Sequence, residues 1–283
     1  MELGKTLKIA VLIKQVPATE HVKINPETGV MAREGLEVEV NPLDLHAIEE
    51  AVRIKEKLSA RVTVVTMGPP AAVKAARYAI AMGCDEGVVV TDRAFAGSDT
   101  LATAGILTET LRKLGGFDLI LAGERATDGE TGQVGPAVGS LLGISVLTYV
   151  SKLEFQDDGV LVQRAVEGGH ERLSAPLPAL AVVVKEINVP RLCTLGGKLR
   201  GKRATIRTLS FEDLGLSREH VGLAGSPTKV VKVGYPQVTR KGRKVSVASD
   251  FDGAIGEFTR FLADMGAIGT PGLSPSGAKE ARR

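Results

Sequence analysis

The chain has 283 residues and a mass of 29.7 kDa, enough for one large domain or two small ones. Its 36 basic and 33 acidic residues leave a formal net charge of +3, too little to indicate a nucleic-acid or membrane partner. Aromatic residues make up 4%, which leaves little for stacking on bases, and the 43% of apolar residues exclude disorder of the whole chain.

Cysteine content and hydropathy predict a cytoplasmic protein without membrane insertion. Cys84 and Cys193 are the only cysteines, and their wide separation matches neither a disulfide framework nor a zinc site. The first apolar run is followed by Lys14 and Gln15 rather than by a signal-peptide cleavage site. No apolar run reaches the roughly 18 residues that a membrane-spanning helix needs.

Strands and helices alternate through the first half of the sequence. Short apolar runs predict strands at 7–13, 36–40, 61–68, 87–92 and 117–123. Periodic apolar positions predict helices at 44–58, capped by Asp44, at 70–82, at 99–114, capped by Ser98, and at 129–143. Such alternation indicates a doubly wound, mostly parallel α/β sheet.

The second half of the sequence departs from this alternation. Extended runs at 146–155 and 159–166 flank a hairpin turn signal, and 177–187 reads as one more strand of the same sheet. Residues 208–250 lack a regular pattern, whereas 251–267 fits one amphipathic helix.

We expect three parts from these patterns. They are an α/β domain over 1–235, a C-terminal arm with its helix over 236–268, and a disordered tail over 269–283.

The ends of the parallel strands are the expected ligand site, because open α/β sheets bind ligands there. Three strand ends stand out, at 12–17, 66–70 and 123–135. In the third, Gly129, Gly132 and Gly135 would let the backbone approach a ligand closely.

The chemistry of this third strand end leaves two interpretations open. The amides of 130–134 would favour a phosphate if they open a helix. An ordinary glycine-rich turn fits the spacing equally well. Asp128 would repel a phosphate unless it faces a ribose hydroxyl or caps the helix.

No side chain stands out as an acid, a base, a nucleophile or a metal ligand. The four histidines have no metal-ligand spacing. The G-x-x-x-x-G-K run from Gly196 to Lys202 is followed by Arg203, so it lacks the hydroxyl residue of a P-loop. This pattern favours a bound cofactor as the source of the chemistry.

A basic stretch without acidic residues covers 191–207 and contains Leu192, Leu195 and Leu199. It could be a solvated surface or could form structural ion pairs. A leucine exposed in a basic, glycine-containing loop also suits docking to another protein.

Six segments, taken together, resemble the beta subunit of electron-transfer flavoproteins. The resemblance extends from about residue 7 to about residue 267. The segments are AVLIKQVP at 10–17, NPLDLHAIEEAVRIKE at 41–56, VVTMGPP at 64–70, AMGCDEG at 81–87, GERATDGETGQVGP at 123–136 and VPRLCTLGGKLRGKR at 189–203. The resemblance implies a doubly wound α/β domain that binds a nucleotide or flavin, with a C-terminal arm that packs on the alpha subunit.

The resemblance also implies positions for the binding residues. The cofactor-binding positions are Leu12, Asn41, Pro42, Leu43, Asp44, Met67, Gly123, Ala126, Asp128, Gly129, Glu130, Thr131, Gly132, Gln133 and Val134. The partner-recognition loop corresponds to 191–200, with Leu195 as its anchor.

The family has two branches, and residues 128–136 resemble the bifurcating branch, with Glu130 in place of Asp and Gly132 in place of Ala. That branch implies FAD in this chain, NADH as donor, and ferredoxin or flavodoxin as the low-potential acceptor besides the alpha subunit. The other branch implies AMP as a structural filler and an acyl-CoA-type dehydrogenase or quinone-reductase-type partner. A stand-alone ATP-binding sensor module is a third possibility.

Overall fold

The structure is a computed structural model that describes residues 6–18, 37–157, 159–231 and 244–268. The chain divides into two compact units, Met1–Gly234 and Tyr235–Arg283, which are described separately. The predicted tail at 269–283 lies outside the described residues, as does the start of the predicted strand at 36–40.

Strands and helices alternate in the first unit, with three further strands inserted before its last parallel strands. The strands are β1 (Leu7–Ile13), β2 (Gln15–Pro17), β3 (Val38–Val40), β4 (Ala60–Met67), β5 (Glu86–Val90), β6 (Leu119–Gly123), β7 (Ser145–Gln156), β8 (Gly159–Val166), β9 (Gly169–Ala175), β10 (Ala179–Val183) and β11 (Arg207–Leu209). The helices are α1 (Pro42–Lys57), α2 (Val73–Met82), α3 (Thr100–Lys113), α4 (Val134–Leu142), α5 (Leu195–Arg203) and α6 (Phe211–Leu214).

Nine of the described strands form one sheet in the order β11-β5-β4-β1-β6-β10-β7-β8-β9. The pairs from β11 to β7 are all parallel, and β8 and β9 are added antiparallel. Strands β2 and β3 form a separate antiparallel pair. The predicted doubly wound, mostly parallel sheet with added antiparallel strands is therefore confirmed.

Side chains of β1 alternate between two cores, one on each face of the sheet. Ile9 and Val11 pack in the core that includes residues of α1 and α2. Ala10 and Leu12 pack in the core that includes residues of α3 and α4. Because both faces are covered by helices, the central strands are mostly apolar, and ligands of such sheets bind at the strand ends.

Two helix starts differ from the sequence prediction. Helix α1 is capped by Asn41 rather than by Asp44, which is buried in its first turn. Helix α3 is capped by Asp99, whose carboxylate accepts hydrogen bonds from the amides of Leu101 and Ala102. Ser98 instead donates a hydrogen bond to the carbonyl of Phe95 at 2.8 Å, so it does not cap the helix.

The fourth helix starts at Val134, five residues later than predicted. Glu130 and Gly132 have φ values of 51° and 63°, which a right-handed helix cannot contain. Residues 129–133 therefore form a loop before the helix rather than its first turn.

Several segments were not anticipated as regular elements, and α6 (Phe211–Leu214) lies in the stretch 208–250 that was predicted to be irregular. The basic stretch, predicted as a loop, contains α5 (Leu195–Arg203). Strand β9 (Gly169–Ala175) is mostly polar and lies at an edge of the sheet, so it lacks the apolar pattern that marks the central strands.

The described part of the second unit contains α7 (Phe251–Asp264), which confirms the predicted amphipathic helix with a slightly earlier end. Asp250 caps it by accepting a hydrogen bond from the amide of Gly253 at 2.9 Å. Phe251, Phe258 and Phe261 are more than half exposed. Across the described residues of both units, no helix combines the length and the apolar character that crossing a membrane requires.

Candidate functional site at the strand ends

The three strand ends predicted from the sequence lie at the same edge of the sheet. Strand β1 is hydrogen-bonded between β4 and β6, with Ile13 in register with Thr66 and Leu12 in register with Ala122. The parallel strands run in the same direction, so the loops that follow Ile13, Met67 and Gly123 emerge side by side.

The start of α1 holds the loop after β6 through the side chain of Asn41. Its side chain is fully buried. The amide Nδ2 donates to the carbonyl of Arg125 at 2.8 Å, and Oδ1 accepts from the amide of Thr127 at 3.2 Å. Asn41 occupies the N-cap position of α1, but its side chain makes no capping hydrogen bond and holds the loop after β6 instead.

Asp44 fastens the loop after β1 in the same way. Its Oδ2 accepts a hydrogen bond from the backbone amide of Lys14 at 2.7 Å. Burial raises the pKa of the Asp44 carboxyl to about 7, against the lowering effect of its hydrogen bonds from Asn41, Lys14 and Gly123. At neutral pH the side chain is thus poised between its two charge states.

The loop at 124–133 presents backbone donors. The amides of Gly129 and Glu130 turn back to the carbonyl of Ala126, at 3.3 and 2.8 Å. The amides of the next three residues, Thr131–Gln133, have no acceptor among the residues that the structure describes. They lie directly before α4, whose positive dipole end adds to their attraction for an anion.

The three carboxylates of this loop have cations nearby, and Glu124 pairs with the guanidinium of Arg125. Asp128 pairs with the ammonium of Lys14 at 2.7 Å. Glu130 is exposed, and the Nε of Arg125 lies 3.8 Å from its carboxylate. The repulsion expected between Asp128 and a phosphate is therefore reduced. The sequence analysis did not single out Lys14 and Arg125 as site residues. Lys14 directly follows the predicted strand at 7–13, and Arg125 closely follows the one at 117–123, so their positions could have indicated them.

Gly135 has a different role from the one predicted. A β-carbon at this position would lie 2.9 Å from Cγ2 of Val182. The same holds at Gly139, where a β-carbon would lie 2.5 Å from Cγ2 of Val146. These two glycines allow α4 to approach β7 and β10 closely, and they do not serve the approach of a ligand.

The predicted cofactor-binding residues differ in their exposure to solvent. Leu12 is buried in the core, so only its backbone faces the strand end. Leu43, Met67, Gly123 and Ala126 are half-buried around the edge. Exposed positions are Pro42, Gly129, Glu130, Thr131 and Gln133, whereas Asp128, Gly132 and Val134 are half-buried. No group of side chains typical of a metal site occurs in the described ranges.

Leu195 lies away from this cluster, at the start of α5. Its side chain is 77% exposed. The helix packs tightly on α2, because β-carbons on Gly197 and Gly201 would lie 2.3 and 2.4 Å from backbone carbonyl oxygens of that helix. A groove of about 1280 Å³ opens beside it and is lined by Leu192 and Arg200, among others. The leucines are thus presented on a supported surface.

The fold is that of a doubly wound α/β protein, and its sheet edge carries backbone amides without an acceptor among the described residues. The family model of the electron transfer flavoprotein domain matches residues 28–214. The chain belongs to the electron transfer flavoprotein family, as a member of its beta-subunit group.

Named relatives cover most of the chain. It is 44% identical to the electron transfer flavoprotein subunit beta of Thermoanaerobacterium thermosaccharolyticum, over 83% of this chain and 91% of the relative. It is 42% identical to the caffeyl-CoA reductase-Etf complex subunit CarD of Acetobacterium woodii, over 85% and 92%. It is 39% identical to the protein FixA of Azotobacter vinelandii, over 86% and 89%.

Proposed function

We propose that this chain is the beta subunit of a bifurcating electron-transfer flavoprotein. In this proposal it binds FAD at the strand-end site and takes electrons from NADH. It delivers one electron to the flavin of an alpha subunit and the other to a low-potential carrier such as ferredoxin or flavodoxin. The observation that carries the proposal is the row of unpartnered amides at Thr131–Gln133, directly before α4.

The residues around these amides fit a dinucleotide. Nothing lies within 4 Å of a β-carbon built on Gly129, and Gly132 has a φ of 63°, which keeps the backbone accessible. The amides of Thr131–Gln133 would donate to the linked phosphates, and the start of α4 would add its dipole. FAD, when bound, supplies hydride acceptance and one-electron transfer, which amino-acid side chains do not provide.

The remaining strand-end residues would hold and orient the cofactor. Asn41 and Asp44 would fix the two flanking loops through their buried hydrogen bonds. Lys14 would keep the charge of Asp128 neutralised while that carboxylate faces a ribose hydroxyl. In this arrangement the protein contributes binding, orientation and electrostatics.

The AMP-binding branch is the second candidate, and the same loop gives it specific support. Lys14 pairs with Asp128, and three consecutive amides of the loop, Thr131–Gln133, have no acceptor within the described ranges. Three backbone donors suffice for the single phosphate of AMP. In that case the chain would be a structural and docking subunit that serves acyl-CoA-type dehydrogenases.

A cofactor count separates the two branches. The chain is purified with its alpha subunit, and the FAD and AMP released on denaturation are counted per heterodimer. Two FAD per heterodimer would support the bifurcating branch. One FAD with one AMP would overturn it in favour of the second candidate. An absence of any adenylate would overturn the strand-end site itself.

Size-exclusion chromatography tests the third possibility, a stand-alone ATP-binding sensor module. The chain is run alone and with the alpha subunit. A beta subunit should elute with its partner as a heterodimer. A stable, soluble monomer that does not bind the alpha subunit would instead support the sensor module.

A further inference from the structure

The segment that leads from the end of β10 into the first residue of α5 carries three strongly exposed apolar side chains. We call residues 188–195 the docking segment. Val189 and Leu192 are both 88% exposed, and Leu195 is 77% exposed. A segment that packs so little of its apolar surface against the protein lacks the usual means of staying ordered.

Arg191 fastens this segment to α1 with a fork of hydrogen bonds to two carboxylates. Its Nε and Nη2 donate to Glu49 at 2.8 and 3.1 Å, and its backbone amide donates to the same carboxylate at 3.1 Å. Its Nη2 also donates to Glu56 at 2.9 Å. The side chain of Glu49 is only 7% exposed, so this carboxylate depends on Arg191 for its counter-charge.

Asn188 adds a second attachment one turn earlier on α1. Its Nδ2 donates to the carbonyl of His46 and to the carboxylate of Glu50, each at 3.0 Å. The two attachments bracket Val189 in the sequence. They hold the backbone while its apolar side chains remain exposed.

The helix that receives these attachments also begins at the strand-end site. Helix α1 has 16 residues and is capped by Asn41, so it extends about 24 Å from the candidate nucleotide site. The docking segment and the strand-end loops are therefore attached to the same rigid element.

We propose that Arg191 is a positioning residue, which preorganises the docking segment on α1 so that Leu192 and Leu195 bind a redox partner protein with little ordering cost. The proposal rests on the proposed function in one respect, because a subunit that exchanges electrons with a redox partner needs a surface that binds it, and we take the docking segment as that surface. Preorganisation improves affinity by reducing the entropy that is lost on binding.

The first test is hydrogen–deuterium exchange of the purified heterodimer, which requires no redox partner. Arg191→Gln should accelerate exchange at 189–194 by about tenfold or more, because a buried Glu49 without its cation favours opening of the segment. Arg203→Gln is the matched control, since Arg203 is exposed and forms no ion pair with any described residue. Equal exchange at 189–194 in both variants would overturn the proposal.

Two further variants keep this result interpretable. Arg191→Lys retains the charge but cannot form the fork, so it should give an intermediate exchange rate. Combining Arg191→Gln with Glu49→Gln removes the unpaired charge and should partly restore protection. If Arg191→Gln fails to fold, these two variants still decide the question, and wild-type exchange in Arg191→Lys would count against the proposal.

The second test separates positioning from a merely structural role. The concentration of an acyl-CoA dehydrogenase that exchanges electrons with the wild-type heterodimer, in either direction, is varied in a steady-state assay. Arg191→Lys should raise KM for the dehydrogenase several-fold and leave kcat at saturation and bound nucleotide unchanged. A fall in kcat without a change in KM would contradict the proposal.

Leu195→Ala distinguishes failure of this proposal from failure of the proposed function. It should raise KM for the dehydrogenase, leave exchange at 189–194 near wild type and leave nucleotide binding intact. If Leu195→Ala has no effect on KM, the docking segment is not the partner-binding surface, and the proposal fails at that premise while the proposed function stands. Loss of nucleotide in this variant would count against the assigned separation of the two sites.

Discussion

Gly123, the last residue of β6, lies against Asp44, in the first turn of α1, with no space for a side chain. A β-carbon on Gly123 would lie 2.3 Å from Oδ1 of Asp44 and 2.8 Å from its backbone nitrogen. The contact brings the end of the central strand directly onto the buried carboxyl that also holds Lys14. Asp44 and Gly123, which are far apart in the sequence and were both expected in the binding site, are thus in direct contact.

Gly123→Ala should therefore destabilise the protein by about 3 kcal/mol, because neither a buried carboxyl nor backbone can move aside cheaply. Gly105→Ala is the matched control, since nothing lies within 4 Å of its built β-carbon and it sits inside α3. The control should raise stability by about 0.5–1 kcal/mol through helix propensity. Urea denaturation measures both, and equal effects of the two substitutions would contradict the assigned contact.

The raised pKa of Asp44 predicts a specific pH dependence of stability. The folded state holds the Asp44 proton up to about pH 7, whereas the unfolded state releases it near the ordinary carboxyl pKa of 3.8. The folded state binds more protons in this window, so the contribution of Asp44 is full below pH 3.8 and is lost as pH rises through 7. At 1.36 kcal/mol per pKa unit, the contribution is about 4 kcal/mol.

Asp44→Asn should remove this dependence. As pH rises from 4 to 7, the free energy of unfolding of the wild type should therefore fall relative to that of the variant. Asp92→Asn is a control, because Asp92 contributes a pH dependence of stability in the opposite direction. Hydrogen bonds from the amides of Ala94 and Phe211 hold the pKa of Asp92 below its usual value, so its contribution is lost as pH falls. Denaturation at a series of pH values tests both, and a pH-independent difference between Asp44→Asn and wild type would refute the assignment.

The fold class could be predicted because it depends on local patterns. Strands such as β1 and β6 are short apolar runs, and the helices between them have periodic apolar faces. The role of Asn41 could not be predicted in this way. Its amide group bonds Arg125 and Thr127, more than 80 positions away, and local capping preference indicates only a helix start.

Glycine caused the main errors of the sequence interpretation, because it serves opposite purposes in one chain. In α5, Gly197 and Gly201 suggest a loop by propensity, yet they permit close packing on α2. Before α4, small residues suggest a helix that packs closely, yet Gly132 adopts a positive φ and delays its start. Only the tertiary neighbours of each glycine separate these cases.

Because the side chain of Asn41 holds the loop after β6, we expect it to contribute to nucleotide affinity. Asn41→Ala removes both hydrogen bonds to the loop after β6 and should weaken nucleotide binding by about tenfold or more, at about 1 kcal/mol for each bond. Gln15→Ala is the control, because it removes one hydrogen bond to a carbonyl, that of Ala71, outside this loop. Calorimetric titration with FAD and with AMP measures the change, and equal affinities in the two variants would exclude a role for Asn41.

Two buried threonine hydroxyls, of Thr66 and Thr108, have no hydrogen-bond partner among the described residues. Thr66 immediately precedes Met67 at the strand-end site, whereas Thr108 lies in α3. Replacing an unsatisfied buried hydroxyl by a methyl group of similar shape should stabilise the nucleotide-free chain by about 1 kcal/mol in both Thr66→Val and Thr108→Val. Thermal unfolding without and with bound nucleotide measures the effect. If Thr66→Val alone becomes destabilising once nucleotide is present, its hydroxyl has a partner in the bound state, whereas destabilisation in both states would contradict an unpartnered hydroxyl.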